Sequence, residues 1–356
     1  MRLRAPFISL ICSALLFSAC SVLGSGSEDD PAAPPAGPGD LGGEVVLVTH
    51  ASFALPKKLI SSFEADTGID LTVRASGDAG TLVNRLVLTK DDPVGDVAYG
   101  IDNTFGSRAV DNGVLAPFPG GVPAEVADYA LPGDDQGTLM PIDTGNVCVN
   151  IDTGWFADHD LRPPSTFEDL TDPAYNGLFV LPGAATSSTG MSFLLATIAR
   201  FGDGWTDYWT DLLDNDARLV DGWEDAYYVD FTLGGGGDRP IVLSYDSSPA
   251  YTVTDGATSS AALLDTCFRQ TEYAGVLEGA TNPAGAQAVV NWLLSPRVQA
   301  ALPTSMYVYP VRPGTALPED WAKFAPQPTT TWQVDPADID AYRETWLTTW
   351  SDLIAR

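Results

Sequence analysis

Between Val45 and Tyr99 the chain repeats one pattern, a short apolar run followed by an amphipathic stretch of helical length. Val45–Val48 has the character of a buried strand. Pro56–Ala65 sets Leu59, Ile60 and Phe63 on one helical face, and Gly68 ends it. Ile69–Val73 reads as the next strand, Thr81–Leu88 as a helix and Val97–Tyr99 as a short strand. Few architectures accept this alternation, because parallel neighbours need crossovers and the crossover helices must cover the sheet. An α/β fold with a parallel sheet is expected. In such sheets ligands sit beyond the carboxyl ends of the strands. His50–Phe53, Ser76–Gly80 and Gly100–Thr104 are therefore candidate site loops.

A second unit is expected from about Pro141. Asn146–Asn150, Leu178–Leu181 and Ile241–Ser244 read as strands, with helices over Gly190–Ala199 and about Trp205–Leu213. Near Tyr273–Leu277 the chain returns to the first unit, followed by a helix from Asn282 to Leu294. The helix from Asp335 to Arg356 closes it, with Tyr342, Trp346 and Trp350 recurring every four residues as core aromatics. One unit interrupted by another, with two crossings, describes a hinged clamshell. Three hundred-odd residues also exceed a single typical core. The organisation is thus 44–140 with 274–356 as lobe 1 and 141–273 as lobe 2.

The first twenty residues read as an export signal: Arg2 and Arg4, then an apolar stretch from Phe7 to Phe17 too short to span a bilayer. Phe17-Ser-Ala-Cys20 resembles the bacterial lipobox, which makes Cys20 the lipidation site; the alternative is a plain cleaved signal. Residues 21–43 are mostly Ser, Gly, Asp, Glu, Pro and Ala, and offer too little apolar surface to offset their ordering entropy. They are expected to be a tether holding the domain at the outer face of the cytoplasmic membrane. No later stretch has the length and hydropathy of a membrane span.

Net charge is −29, from 18 basic and 47 acidic residues, and cleavage of the signal removes Arg2 and Arg4. Such a surface argues against nucleic acid and for cations, or at least not polyanions, as partners; the alternative is that the charge only solubilises the surface. Cys148 and Cys267 lie in strand-like surroundings and outside the cell are expected to be bridged, the alternative being two buried thiols. His50 and His159 are the only histidines, and no metal-ligand spacing appears. Neither a G-x-S-x-G elbow nor an H-E-x-x-H pattern is present, so an enzyme is not expected. A secreted hydrolase is the remote alternative.

An ordered series of phrases resembles the type II periplasmic solute-binding proteins, and within them the thiamine-binding branch of ABC importers. These are Gly100-Ile-Asp-Asn103, Pro141-Ile-Asp-Thr-Gly145, Thr186-Ser-Ser-Thr-Gly190 and Gly222-Trp-Glu-Asp-Ala-Tyr227. The strongest are Leu243-Ser-Tyr-Asp-Ser-Ser-Pro-Ala-Tyr251 and Pro303-Thr-Ser-Met-Tyr-Val-Tyr-Pro310. The resemblance covers nearly all of residues 44–356 and implies a monomeric two-lobed clamshell without cofactor. It would pass thiamine or thiamine phosphate to a permease and its ATPase. It also implies that Trp223, Tyr245, Tyr251 and Tyr307 line the cleft, where stacking and cation–π contact suit a thiazolium ring; the alternative for each is core packing. Asp102 and Asn103 become readers of the aminopyrimidine or plain turn formers, and Asp246 a second counter-charge. Ser187, Ser188, Thr189 and Gly190 open a helix and offer hydroxyls and N–H groups to a hydroxyl or phosphate, or simply cap it. Tyr227 and Ser247 complete the set from the same phrases.

Two positions depart from that branch: His50-Ala51-Ser52-Phe53 stands where a Tyr-Asp-Ser-Phe-like phrase is usual, and Tyr307 where a tryptophan is. A sibling possibility is ferric-ion binding by the Tyr227–Tyr228 pair, although Tyr227 also packs at i+4 from Trp223.

Overall fold

The computed structural model describes residues 41–355. The expected signal, the expected lipidation site Cys20 and the expected tether up to residue 40 lie outside the described residues. Seven strands come first: β1 (Glu44–Thr49), β2 (Asp70–Ala75), β3 (Val97–Asp102), β4 (Met140–Asp152), β5 (Phe179–Pro182), β6 (Arg218–Val220) and β7 (Ile241–Tyr245). The short β8 (Val253–Thr254) and β9 (Ala257–Thr258) pair only with each other. Ser260–Ala262 (β10) precedes the long β11 (Phe268–Val276), and Tyr309–Pro310 (β12) is a late addition.

The main sheet runs β2-β1-β3-β11-β4-β7-β5-β6, with β10 and β12 also on β4. Two parallel wings, β2-β1-β3 and β7-β5-β6, are joined through β11 and β4, which run antiparallel to each other and to their neighbours. The fold is the expected α/β one, with two parallel wings. Because β4 and β11 each pair on both sides, the two wings share one continuous ladder rather than a pair of flexible linkers.

Local chemistry explains the elements around the wings. The helix Lys57–Thr67 ends where Gly68 takes a left-handed φ of 71° and its N–H reaches Glu64 O, satisfying a terminal carbonyl. The helix Ala79–Leu88 starts two residues before its apolar pattern because Asp78 caps it, accepting the Ala79 N–H. Its Leu82, Val83 and Leu86 are fully buried against β3 residues such as Ala98 and Ile101. On the other face of that wing, Val45, Leu47 and Val97 pack with Val289, Val290 and Leu293 of the helix Pro283–Leu293. Each such side chain contributes roughly 1.5–3 kcal/mol by leaving water.

Trp209, from the helix Trp205–Asp214, is fully buried and donates its indole N–H to Thr197 of the helix Ser188–Phe201. It meets Trp350 edge-on at 5.7 Å, which anchors the final helix Pro336–Ile354. The expectation for that helix needs correction: Trp350 is core and Trp346 half-buried, but Tyr342 is 52% exposed. Four residues advance the helix by more than a full turn, so a strict four-residue stripe rotates off the buried face. Cys148 on β4 and Cys267 just before β11 form a disulfide between adjacent strands.

Candidate functional site

A cavity of about 240 Å³ opens where the loops following β1, β2, β5, β6 and β7 converge. His50–Ala54 follows β1, Asp78 follows β2, Ser188 and Thr189 follow β5, Trp223 and Glu224 follow β6, and Ser247 and Ser248 follow β7. These are the carboxyl ends of the parallel strands, where α/β sheets leave room for ligands. Two of the three loops expected from topology, after β1 and β2, contribute.

The third does not. Strand β3 continues through Asp102, opposite Glu272, instead of ending at Tyr99. The Asp102 carboxylate folds back to accept the N–H groups of Thr104 and Phe105 and the Thr104 hydroxyl. It has no exposure, and burial pushes its pKa up to about 7. Asn103 is tied to β11, accepting the Thr271 N–H at 2.8 Å and donating to Arg269 O. Neither residue lines the cavity; both act as turn formers. Asp246 is also off the cavity. Its carboxylate accepts both N–H groups offered by Asn146 and the Tyr309 hydroxyl, and burial raises its pKa to about 6.

The aromatic residues do converge. Trp223, Tyr227, Tyr245, Tyr251 and Tyr307 all line the cavity. Trp223 stacks on Tyr227, centroids 5.0 Å apart at 20°, and its indole N–H donates to Ser244 Oγ. Tyr227 lies in a five-residue π-helical turn, Ala226–Asp230, a wide turn common at functional sites. Tyr228, part of the same turn, sets its ring edge-on to Trp223. Tyr245 donates its hydroxyl to Gln270 at 2.8 Å. Tyr251 is 45% exposed and meets Tyr307 edge-on at 5.0 Å. Tyr307 has a φ of 57°, a costly conformation for a bulky side chain, and Ser247 holds it by donating to its carbonyl at 2.5 Å.

The loop at the start of the helix Ser188–Phe201 divides. Ser188 and Thr189 reach the cavity, whereas Ser187 and Gly190 do not. Ser187 Oγ pairs with Thr189 Oγ1 rather than with a backbone N–H, so it is no conventional cap. A Cβ on Gly190 would lie 2.5 Å from Gly183 O, so this glycine serves close packing.

Sequence reasoning missed the charges. Asp78, Glu224 and Glu272 line the cavity together with His50. Asp78 sat in an expected loop, and Glu224 beside an expected tryptophan. Glu272 gave no signal, since it follows the polar Arg269-Gln270-Thr271 of β11 and nothing in the local pattern marks it as buried. It is 5% exposed, and its Oε1 stands 3.5 Å from His50 Nε2 while Oε2 accepts the Tyr99 hydroxyl. Tyr99 Oη also lies 2.5 Å from Asp143 Oδ2. Burial and the neighbouring Glu272 drive the Asp143 pKa well up. Burial alone would raise Glu272 as well, but the His50 ring and these hydrogen bonds hold it low, as the anion of the cluster.

Residues 58–328 match the family described as bacterial extracellular solute-binding protein. The chain is 28% identical over 320 residues to the thiamine-binding periplasmic protein of Escherichia coli, covering 88% of this chain and 94% of that one. It is 27% identical over 319 residues to the thiamine-binding periplasmic protein of Brucella melitensis, covering 86% and 91%. Among solved structures, a periplasmic thiamin binding protein superposes with a TM-score of 0.78 at 28% identity, over 88% of this chain and 97% of that one.

Proposed function

Because the chain belongs to the bacterial extracellular solute-binding proteins, we propose that it is the substrate-binding component of an ABC importer and that its ligand is thiamine. One observation carries the ligand: seven aromatic rings and three carboxylates share one cavity, and among the described residues no lysine or arginine lines it. A flat organic cation gains from stacking, from cation–π contact of roughly 0.5–2 kcal/mol per ring, and from the net negative surroundings. The same composition favours thiamine over its phosphates, because the one basic side chain at the cavity, His50, is held against Glu272. The likeness to thiamine-binding relatives supports the same choice.

In this reading 44–140 with 274–356 and 141–273 are the two lobes, and their boundaries fall in or beside β4 and β11. The protein closes on ligand about those strands and then docks as a monomer on a permease driven by its ATPase. Cys20 carries the lipid and 21–43 the tether.

Calorimetric titration of the purified protein with thiamine, its mono- and diphosphate and ferric citrate tests the proposal. Micromolar or tighter thiamine binding, weakened by each phosphate, is the expected result. A ferric response without a thiamine response would favour paired-tyrosine iron capture instead. That outcome is disfavoured by the phenols themselves: burial and neighbouring tyrosines raise Tyr227 and bring Tyr228 to about 12, so phenolates form reluctantly there.

A further inference from the structure

His50 sits where a cationic ligand would find its counter-charge. Its ring is 7% exposed and tilts against Tyr99 at 5.5 Å, and it lines the cavity with Glu272. Room for it is built into the backbone: Gly100 has a φ of 93°, and a Cβ there would fall 2.1 Å from His50 Cδ2. Nε2 has no hydrogen-bond partner among the described residues, and its nearest acidic neighbour is Glu272 Oε1 at 3.5 Å. Three further groups bear on the pair. Asp78 and Glu224 face it from the loops after β2 and β6, and Asp143 approaches Glu272 from β4 through the Tyr99 hydroxyl.

The charges on this cluster close only one way. Asp143 is held as the neutral acid and Glu272 as the anion. Burial would strip the proton from His50, but the charge of Glu272, with Asp78 and Glu224 behind it, outweighs burial and raises the imidazole pKa above its ordinary value. Below that raised pKa the buried anion of the free protein is neutralised by an imidazolium, and a second cation entering the cavity must compete with that proton.

We propose that Glu272 is the counter-anion for the ligand's cationic ring and that His50 is its exchangeable partner, so that capturing the cation expels the His50 proton to solvent. This rests on the cationic-ligand reading above and adds to it the residues that set the charge preference. Linkage fixes the sign. Ligand and proton oppose each other, so affinity falls as pH drops below the imidazole pKa of the free protein, and levels off above it. Asp78 and Glu224 attract proton and ligand alike and leave that sign unchanged.

The test is calorimetric titration with thiamine between about pH 6 and pH 9, in buffers of different ionisation enthalpy, on the wild-type protein. At the acid end close to one proton should be released per thiamine bound, and affinity should rise at least about tenfold toward the alkaline end. His50→Gln should abolish both the release and the slope, and Glu272→Gln should weaken thiamine at every pH. Binding with a flat profile and no proton release overturns the exchange while leaving thiamine as ligand. So does a slope that survives in His50→Gln. Absence of thiamine binding at every pH overturns the ligand reading itself, and this proposal with it.

Discussion

Asp78 joins Trp223 to the opposite wing of the sheet: its Oδ2 accepts the Trp223 backbone N–H at 2.8 Å while its Oδ1 accepts the Ala79 N–H at 2.6 Å. One carboxylate thus caps the helix Ala79–Leu88 and holds the loop that carries the main aromatic. Next to it the Thr81 N–H donates to Thr186 O, and a Cβ on Gly80 would stand 2.8 Å from Ala185 O. Asp78→Ala should lower stability by about 1 kcal/mol through the cap and weaken thiamine roughly tenfold through the lost charge-assisted bond. Asp78→Asn keeps an acceptor for the cap, so it should recover most of the stability and only part of the affinity. Denaturant melts and titrations of both variants separate the two roles, and an alanine variant that binds like the parent contradicts the second.

Trp223 stacks on Tyr227 and is fixed by Ser244, so its ring is presented to the cavity already ordered. Trp223→Ala should weaken thiamine at least about tenfold, the worth of one cation–π and stacking contact made in a partly dry site. Trp223→Phe keeps a ring but loses the Ser244 bond, and should fall between. Fluorescence or calorimetric titration reads both; equal affinity across the series would remove Trp223 from the site.

The aromatic half of the candidate site was legible in the sequence and the charged half was not. Trp223, Tyr245, Tyr251 and Tyr307 follow from phrases that resemble the family's, and Trp223 and Tyr251 also sit among Gly, Ser and Pro rather than on an apolar stripe. Asp102 read as a site acid from its phrase and from a strand that seemed to stop at Tyr99, but β-pairing with Glu272 carries β3 on to Asp102. Glu272 stayed hidden for the complementary reason. A single acid in a buried strand has no periodicity, and its partners His50, Tyr99 and Asp143 come from three other segments that only the sheet order assembles. The alternation from Val45 to Tyr99 fixed the parallel wing because local spacing determines it. The joining of the wings through β4 and β11 depends on pairings over more than a hundred residues, which spacing does not encode.

The Cys148–Cys267 bridge closes a separation of 119 residues between the two strands that join the wings. Closing so long a loop restricts the unfolded chain, worth roughly 2–5 kcal/mol. The double variant Cys148→Ser with Cys267→Ser should melt several degrees lower than the oxidised parent and match the parent after reduction. Thiamine affinity should change little, since neither cysteine lines the cavity. Equal melting temperatures with and without reductant would show that the bridge does not contribute to stability.

Asp102 gives the stability a pH dependence of unusual sign. Its carboxyl has a folded pKa of about 7 against an ordinary value of 3.8, because burial disfavours the anion more than Thr104 and Phe105 favour it. A raised acid means that the folded state holds the proton more tightly than the unfolded chain does. The associated stability is therefore complete below about pH 4, declines as pH rises toward about 7, and is constant above. Asp246, raised to about 6, adds a change of the same sign over a narrower window. Asp102→Asn cannot ionise and keeps an acceptor for the two N–H groups. Relative to the parent it should gain about 2–3 kcal/mol between pH 5 and pH 8. Urea unfolding of both proteins at the two pH values measures that difference. The same gap at both values would mean that the Asp102 carboxyl stays in one protonation state throughout, and that its three hydrogen bonds outweigh its burial.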